Sequence, residues 1–387
     1  MNMGLAHRHP LGEGEGKLGF FTAGGSPGWG DGDTAYVEAL SPPPGPLART
    51  DLPPPGVGGP TSDPPSSAKE HKASPLPAGR VCPRDYIYDP SKFARQPDFS
   101  AEILYVAGGL YGNLAAARAI ERLAEAECGD VAIVYSGDFH WFDADDAWFD
   151  SVEQAVAPYR ALRGNVETEI ARIIDVGAGC GCAYTKAVAD DIVMRSNQIL
   201  NELRSVAARD QLACARLAGL PMHLVAKVGG LRIGIVHGDA MSLAGWGFTR
   251  EILAGASAML SDAHARSHID IFASSHTCLA LLHDTALPNG RLTVINNGAA
   301  GMPNFTGTRH GLISRIARTP SPHPSAYGLV RDGVHVDAVA VAYDHAQFFN
   351  RFLVRWPAGT PAHASYVRRI LDGPAYTVAQ ALGYGVE

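Results

Sequence analysis

The chain has 387 residues, with 39 acidic and 32 basic side chains and a formal net charge of -7. This mild acidity argues against broad electrostatic binding to nucleic acid or to an anionic membrane. No run approaches the roughly 18 apolar residues of a membrane span, and the six cysteines are too scattered for a disulfide scaffold. Since no secretory signal is visible at the N-terminus, the sequence favours a cytoplasmic protein with reduced thiols.

Residues 1–98 differ in composition from the rest of the chain. The first 100 residues hold 17 of the 27 prolines, in runs such as Pro42-Pro43-Pro44 that can neither continue a helix nor pair inside a sheet. The composition predicts a disordered tail up to about Gly79. The short segment Val81–Tyr86 follows this tail and is expected to pack onto the surface of the folded domain.

The globular domain is predicted to span residues 99–345, followed by a helical extension over 346–387. Ile103–Ala107 and Val131–Tyr135 are short apolar runs typical of buried strands. Between them, residues 113–126 carry apolar residues at helical spacing, which predicts a helix. This opening of strand, loop, helix and strand is typical of an α/β fold.

The middle of the chain predicts more helices and a hairpin. Ala183–Leu217 has one long helical pattern, and Ser242–Arg266 is also mostly helical. Between these, residues 224–236 indicate two antiparallel strands around Gly229-Gly230. A further strand is expected at Ile269–Ala273, and residues 279–343 show short strands separated by turn signals. The pattern suggests two mixed sheets face to face, with helices outside.

Polar side chains follow four of these short segments. Asp138, His237 and His276 come directly after apolar runs, and Asn165 follows a further short segment that ends in Arg163-Gly164. Since sites in α/β folds form at the carboxyl ends of strands, these side chains are expected to meet. A carboxylate, an amide oxygen and two imidazoles suit a divalent transition metal, with Mn, Fe and Zn about equally favoured.

The order of these motifs resembles the calcineurin-like metallophosphoesterase superfamily. That family runs D-x-H, G-D, G-N-H-[DE], a lone His and G-H-x-H. The corresponding segments of this chain are Gly109–Asn113, Gly137-Asp138, Gly164–Glu167, His237-Gly238 and Ser275–Cys278. The resemblance covers about residues 101–345. It implies a four-layer α/β/β/α sandwich of two mixed sheets and the hydrolysis of phosphoesters with bound metal.

The departures from the family pattern are concentrated in one of its two metal sites. At the three non-bridging ligand positions of that site, this chain has Gly109, Tyr111 and Cys278. The resemblance assigns the other ion to Asp138, Asn165, His237 and His276, which are all present. We therefore expect one ion, a small phosphorylated substrate and slow or altered hydrolysis.

Four further residues are candidates for contacts with the substrate, namely Tyr111, Asn113, His140 and Glu167. His140, which follows the G-D motif closely, is also a candidate replacement ligand, as are Tyr111 and Cys278. Trp246 is placed near the mouth of the site if the family layout holds, and core packing is an equally good interpretation of this residue. Arg368-Arg369 is expected to be a solvated helix face. Cys180-Gly181-Cys182 lacks the C-x-x-C spacing, which favours inert buried thiols.

Two other interpretations stay open at the sequence level. Taken singly, Asp138 fits a helix cap, Asn165 a turn and the two histidines a packed core. The first alternative to an active phosphoesterase is a catalytically silent member that uses the same cleft for a ligand or a protein partner, and the second is a nucleotide-binding α/β protein without metal. The glycine-rich segment 108–112 suggests the latter, although it lacks the G-x-G-x-x-G spacing.

Overall fold

The computed structural model describes residues 77–382. The predicted disordered tail therefore lies almost wholly outside the described residues. Twelve strands are found in this part of the chain: β1 Phe99–Ala101, β2 Ile103–Ala107, β3 Val131–Ser136, β4 Arg160–Leu162, β5 His223–Val228, β6 Leu231–Val236, β7 Ile271–Ser274, β8 Ala280–Leu287, β9 Gly290–Asn297, β10 Gly311–Ala317, β11 Ser325–Arg331 and β12 Val334–Val341.

Ten α-helices accompany these strands within residues 77–382. They are α1 Leu114–Glu125, α2 Asp146–Val156, α3 Asn165–Ile170, α4 Asp190–Ala207, α5 Gln211–Gly219, α6 Arg250–Leu253, α7 Ser257–Ser267, α8 His345–Arg355, α9 Pro361–Asp372 and α10 Val378–Ala381. Two short 3-10 helices, Arg84–Tyr86 and Pro90–Phe93, precede β1.

The strands form two sheets of six. One sheet has the order β1-β5-β6-β7-β9-β8, and the other has the order β11-β12-β10-β2-β3-β4. Each sheet is mixed: β6, β7 and β9 run parallel in the first, and β2, β3 and β4 run parallel in the second. The remaining neighbours include antiparallel pairs such as β5 with β6 and β10 with β12.

Apolar side chains fill three layers around these sheets. Residues such as Val106, Ile233 and Val336 form the core between the two sheets. A second core lies between the outer face of the β2 sheet and its helices, and a third covers the opposite sheet with α7 and the 3-10 helices. The predicted four-layer α/β/β/α sandwich of two mixed sheets is confirmed.

The segment before β1 contributes buried side chains to the third core. Tyr86 and Phe93 are fully buried, and the Tyr86 hydroxyl donates a hydrogen bond of 2.8 Å to the carboxylate of Glu169. The chain near Tyr86 is thus part of the packed structure. The predicted boundary of the domain near residue 99 stays a prediction.

Two predicted helices are divided in the structure. The pattern over Ala183–Leu217 gives α4 and α5, because the Asp210 carboxylate accepts hydrogen bonds from the first backbone N–H groups of a new helix. Residues 242–249 form a loop instead of a helix. There the carboxylate of Asp239 accepts hydrogen bonds from the N–H groups of Met241, Ser242 and Gly247, which holds the backbone in a turn.

No helix within residues 77–382 combines the length and the apolar character needed to cross a membrane.

Candidate metal centre

The four predicted ligands come together between the two sheets. Asp138 follows β3 and Asn165 opens α3 after β4, both at the carboxyl ends of parallel strands in one sheet. His237 follows β6 and His276 follows β7 in the other sheet. The N–H of His276 donates to the carbonyl of His237 at 2.8 Å, so the two histidine loops are joined directly.

Glycines allow the loops to approach this closely. Gly137 and Asp138 have positive φ angles of 91° and 52°. At Gly164, a Cβ atom would lie 2.3 Å from the Asp138 carboxylate and 3.0 Å from the His237 ring. A side chain at position 164 would therefore occupy the space in which these groups meet.

Hydrogen bonds to backbone carbonyls orient both imidazole rings. His237 Nδ1 lies 2.9 Å from the Ser136 carbonyl, and His276 Nε2 lies 3.3 Å from the Cys182 carbonyl. A carbonyl oxygen only accepts, so these partners assign the proton to those two ring nitrogens. Consequently Nε2 of His237 and Nδ1 of His276, which are 3.1 Å apart, turn their lone pairs toward each other.

Two oxygen atoms complete the group. The Asn165 amide donates through Nδ2 to the Cys180 carbonyl at 2.9 Å, which leaves Oδ1 3.1 Å from His237 Nε2. Asp138 Oδ1 lies 3.4 Å from the same nitrogen. The ligand atoms of Asp138, His237 and His276 all lie within 4.8 Å of one another.

The electrostatics of the group favour a cation. Although burial opposes both shifts, the mutual attraction of Asp138 and His237 lowers the pKa of the carboxyl and raises the pKa of the imidazole. Burial and the nearby charge of His237 lower the pKa of His276 to about 3. His276 is therefore neutral near pH 7, which is the form that binds metal.

These residues fit a divalent transition metal. Two nitrogen and two oxygen donors converge, and both histidines donate their other N–H to a backbone carbonyl, as metal-bound histidines commonly do. Facing lone pairs are stabilised only by a positive charge between them, either a proton or a metal ion. The N₂O₂ donor set does not select among Mn, Fe and Zn.

Glu167 holds two of the ligand loops in place. Its carboxylate accepts hydrogen bonds of 2.8 Å from the N–H groups of Asp138 and Gly164, and one of 3.2 Å from that of His140. These bonds join the loop after β3 to the start of α3. They fix the distance between Asp138 and Asn165.

Asn113 and His140 also make their hydrogen bonds within the protein. Asn113 accepts from the N–H of Ala116 at the start of α1 and donates to the Gly301 carbonyl. The two ring nitrogens of His140 contact Asp143 at 2.5 Å and Glu153 at 2.8 Å. Although burial alone would lower it, these carboxylates raise the pKa of His140 to about 10. A protonated His140 has no lone pair for a metal.

Asn113, His140 and Glu167 lie outside the wall of the cavity beside the metal ligands. Their predicted contacts with a substrate stay a prediction. Tyr111, by contrast, lines this cavity together with Cys278, and its hydroxyl lies 2.8 Å from the Cys278 thiol. Burial raises the pKa of both groups, so both are neutral near pH 7.

The cavity has a volume of about 50 Å³ and reaches the metal ligands Asp138, Asn165 and His276. Most of its lining residues are aromatic or apolar. Besides the three ligands, they are Tyr111, Trp141, Val166, Cys182, Tyr184, Val188, Trp246, Thr277, Cys278, Met302, Tyr366 and Arg369. Since one water needs roughly 10–15 Å³, there is room for a few waters or for one small polar group.

Three of the sequence-based expectations about this region have a definite outcome. Trp246 does lie at the site, with its ring centroid 5.1 Å from that of His276. The prediction of a solvated helix face holds for Arg368, whose side chain is 60% exposed, and is wrong for Arg369, which is 5% exposed. The packing of α9 against α4 turns Arg369 inward. Cys180 and Cys182 are buried free thiols, and their carbonyl groups position Asn165 and His276.

Sequence reasoning missed the cavity residues Trp141, Tyr184 and Tyr366, since none of them belongs to a motif. The only available signal was their position, because Trp141 follows Asp138 by three residues and Tyr184 follows Cys182 by two.

No family model matches the sequence, and no curated protein matches it either. Similar solved structures include a hypothetical protein from Pyrococcus horikoshii, with 16% identity, a TM-score of 0.48, and coverage of 70% of this chain and 98% of that one. A metallophosphoesterase from Sphaerobacter thermophilus has 17% identity, a TM-score of 0.45, and coverage of 70% and 99%. The phosphoesterase YfcE from E. coli has 13% identity, a TM-score of 0.29, and coverage of 55% and 87%. At these values the similarity says nothing about the chemistry of this chain.

Proposed function

We propose that this protein is a phosphoesterase that uses a single divalent metal ion to hydrolyse a small phosphoester. The observation that carries the proposal is the convergence of Asp138, Asn165, His237 and His276 on one point at the edge of a buried cavity. Three of these side chains, Asn165, His237 and His276, are held from behind by backbone carbonyl groups. Such fixed orientation is typical of a built ligand site.

The residues of the site have separate roles. His237, His276, Asp138 and Asn165 hold the ion, and Glu167 fixes the spacing of the two loops that carry the oxygen ligands. When bound, a divalent ion supplies Lewis-acid polarisation of a phosphoryl oxygen. Most of the side chains that line the cavity are aromatic or apolar, and such low-polarity surroundings strengthen the electrostatic interactions inside it.

The proposal of one ion rests on the pair formed by Tyr111 and Cys278. Both groups are protonated near neutral pH because burial raises the pKa of each, and they contact each other. A protonated thiol is a poor metal ligand, since metal binding requires the thiolate. The small volume of the cavity supports a substrate in which little more than the phosphate group enters it.

Metal analysis tests the proposal. Protein purified without chelator and loaded with Mn, Fe or Zn should hold one equivalent, and His276→Ala should lose it. His335→Ala is the control, because His335 lies at the opposite end of the sheet from the ligand loops. On β12 it pairs with Ala317 of β10, which in turn pairs with the start of β2, whereas the ligand loops follow the carboxyl ends of the strands. Turnover of phosphoesters should track the metal content. A wild-type protein that binds metal but hydrolyses no ester would instead favour the catalytically silent alternative.

A further inference from the structure

Arg369 is a buried arginine in the wall of the cavity. It lies on α9, outside the segment that carries the metal ligands, and only 5% of its surface is exposed. It lines the same cavity as Asp138 and His276. Its Nη2 donates a hydrogen bond of 2.6 Å to the carbonyl of Cys278.

The guanidinium of Arg369 is incompletely paired. Its Nε is buried without a hydrogen-bond partner, and within residues 77–382 no carboxylate forms an ion pair with this side chain. Burying a charged group without a counter-ion is costly. The other two buried arginines within residues 77–382 both have a carboxylate partner: Arg315 forms a bidentate pair with Glu127, and Arg331, whose Nε is also without a hydrogen-bond partner, pairs with Asp270 at 3.3 Å. Arg369 lacks such a partner at the place where a ligand would enter.

The charges around the cavity indicate the ligand. Among the residues that line it, only Asp138 and Arg369 are formally charged, and their opposite charges cancel. A divalent ion at Asp138 would add two positive charges. A phosphomonoester carries close to two negative charges above its second pKa of about 6, whereas a phosphodiester carries one. Among mostly apolar and aromatic side chains, an uncompensated charge is costly, so the monoester matches the cavity better.

We propose that Arg369 binds the phosphate group of a phosphomonoester dianion in this cavity. The inference rests on the proposed function, because the second positive element is the metal ion at Asp138. Arg369 donates through Nε, while its hydrogen bond to the Cys278 carbonyl keeps the guanidinium plane in position. A planar guanidinium suits tetrahedral phosphate oxygens better than an ammonium does.

Binding of inorganic phosphate tests this role directly. Calorimetry on the metal-loaded protein should give an affinity that Arg369→Gln lowers about tenfold or more, as expected for a charge-assisted hydrogen bond. Arg368→Gln, one residue away on the exposed face, should leave it unchanged. Both variants should bind one equivalent of metal. Phosphate binding that is equal in Arg369→Gln and wild type would overturn the inference.

A second measurement separates ligand binding from a structural role. The ratio of kcat/KM for p-nitrophenyl phosphate to that for bis-p-nitrophenyl phosphate should favour the monoester in the wild type and fall in Arg369→Gln. If Arg369→Gln does not fold, Arg369→Lys carries the test. It keeps the charge and should retain part of the preference for the monoester; a wild type that prefers the diester would overturn the inference.

The two proposals fail in different ways. If the wild type binds no metal, the proposed function fails, and phosphate binding to the metal-free protein then tests Arg369 alone, with Arg369→Gln and Arg368→Gln compared as before. If the wild type binds metal but no phosphate, the inference about Arg369 fails while the metal centre stands.

Discussion

The hydroxyl of Tyr111 lies 2.8 Å from the thiol of Cys278, in the wall of the cavity that reaches the metal ligands. Both residues have positive φ angles, 53° and 56°. Two loops from different sheets therefore adopt an unfavourable backbone conformation at the point where these side chains meet. The pair closes this side of the cavity with two neutral groups.

A first prediction concerns the metal content of variants of this pair. Cys278→Ala and Tyr111→Phe should each keep one equivalent of metal, because neither side chain is a ligand in the proposed centre. Elemental analysis checks this. A wild type with two equivalents that falls to one in Cys278→Ala would show that the thiol and its neighbour hold a second ion.

A second prediction concerns Gly164. Gly164→Ala places a methyl group 2.3 Å from the Asp138 carboxylate, so the carboxylate or the loop must move. We expect metal affinity to fall about tenfold or more, since displaced ligands lose coordination geometry. Titration of the metal-free protein measures the change. Gly219→Ala is the matched control, because nothing lies within 4 Å of its added methyl group at the end of α5; equal affinities in the two variants would refute the prediction.

The fold and the four ligands were accessible from the sequence because they depend on local patterns. The strand Ile103–Ala107 is an apolar run with the predicted bounds, and the hairpin over residues 224–236 is fixed by Gly229-Gly230. Each ligand likewise follows its own strand. Hydrophobic periodicity and turn residues are local properties of the chain, and they carry this information directly.

The rest of the site depends on contacts between distant segments. Arg369 is 91 residues from the carbonyl it contacts, and its neighbour Arg368 has the same residue type with the opposite environment. Only the rotation of α9 about its axis distinguishes them. Similarly, residues 242–249 have a helical pattern but form a loop, because the Asp239 carboxylate accepts hydrogen bonds from three backbone N–H groups. The helical propensity of these residues does not reveal those bonds.

A third prediction concerns stability in acid. Arg315 and Glu127 form a bidentate pair at 2.6 and 3.0 Å, with both side chains almost fully buried. Burial opposes it, but the hydrogen bonds from Arg315 and Tyr105 lower the pKa of Glu127. The stabilisation that a lowered carboxyl pKa provides is fully present above the pKa of this group in the unfolded chain, 4.5. It is lost as the pH falls through the pKa of the same group in the folded protein.

We expect Glu127→Gln to lower the free energy of unfolding by about 1.5–3 kcal/mol at neutral pH, because it removes the charge-assisted hydrogen bonds of a buried arginine and leaves Asp337, 3.5 Å from Nη1, as the carboxylate that faces Arg315. The difference from wild type should begin to shrink below pH 4.5, where the unfolded chain takes up a proton at Glu127 that the folded protein binds only at lower pH. Urea unfolding at several pH values measures both effects. A difference that stays constant down to pH 3 would contradict the role of the ion pair.

A fourth prediction concerns the competition between metal and protons. Although burial opposes it, the Asp138 carboxylate raises the pKa of His237 above 6.5, so below that pKa a proton competes with the metal for this site. Metal binding requires neutral His237 and releases that proton. Metal affinity should therefore rise about tenfold per pH unit below the pKa of His237 and level off above it. Calorimetry in buffers of different ionisation enthalpy would count the released protons. Asp138→Asn should lower the metal affinity. It should also lower the pH above which that affinity no longer rises, since the carboxylate that stabilises the imidazolium of His237 is gone. A wild-type metal affinity that does not change with pH would show that His237 is not a ligand.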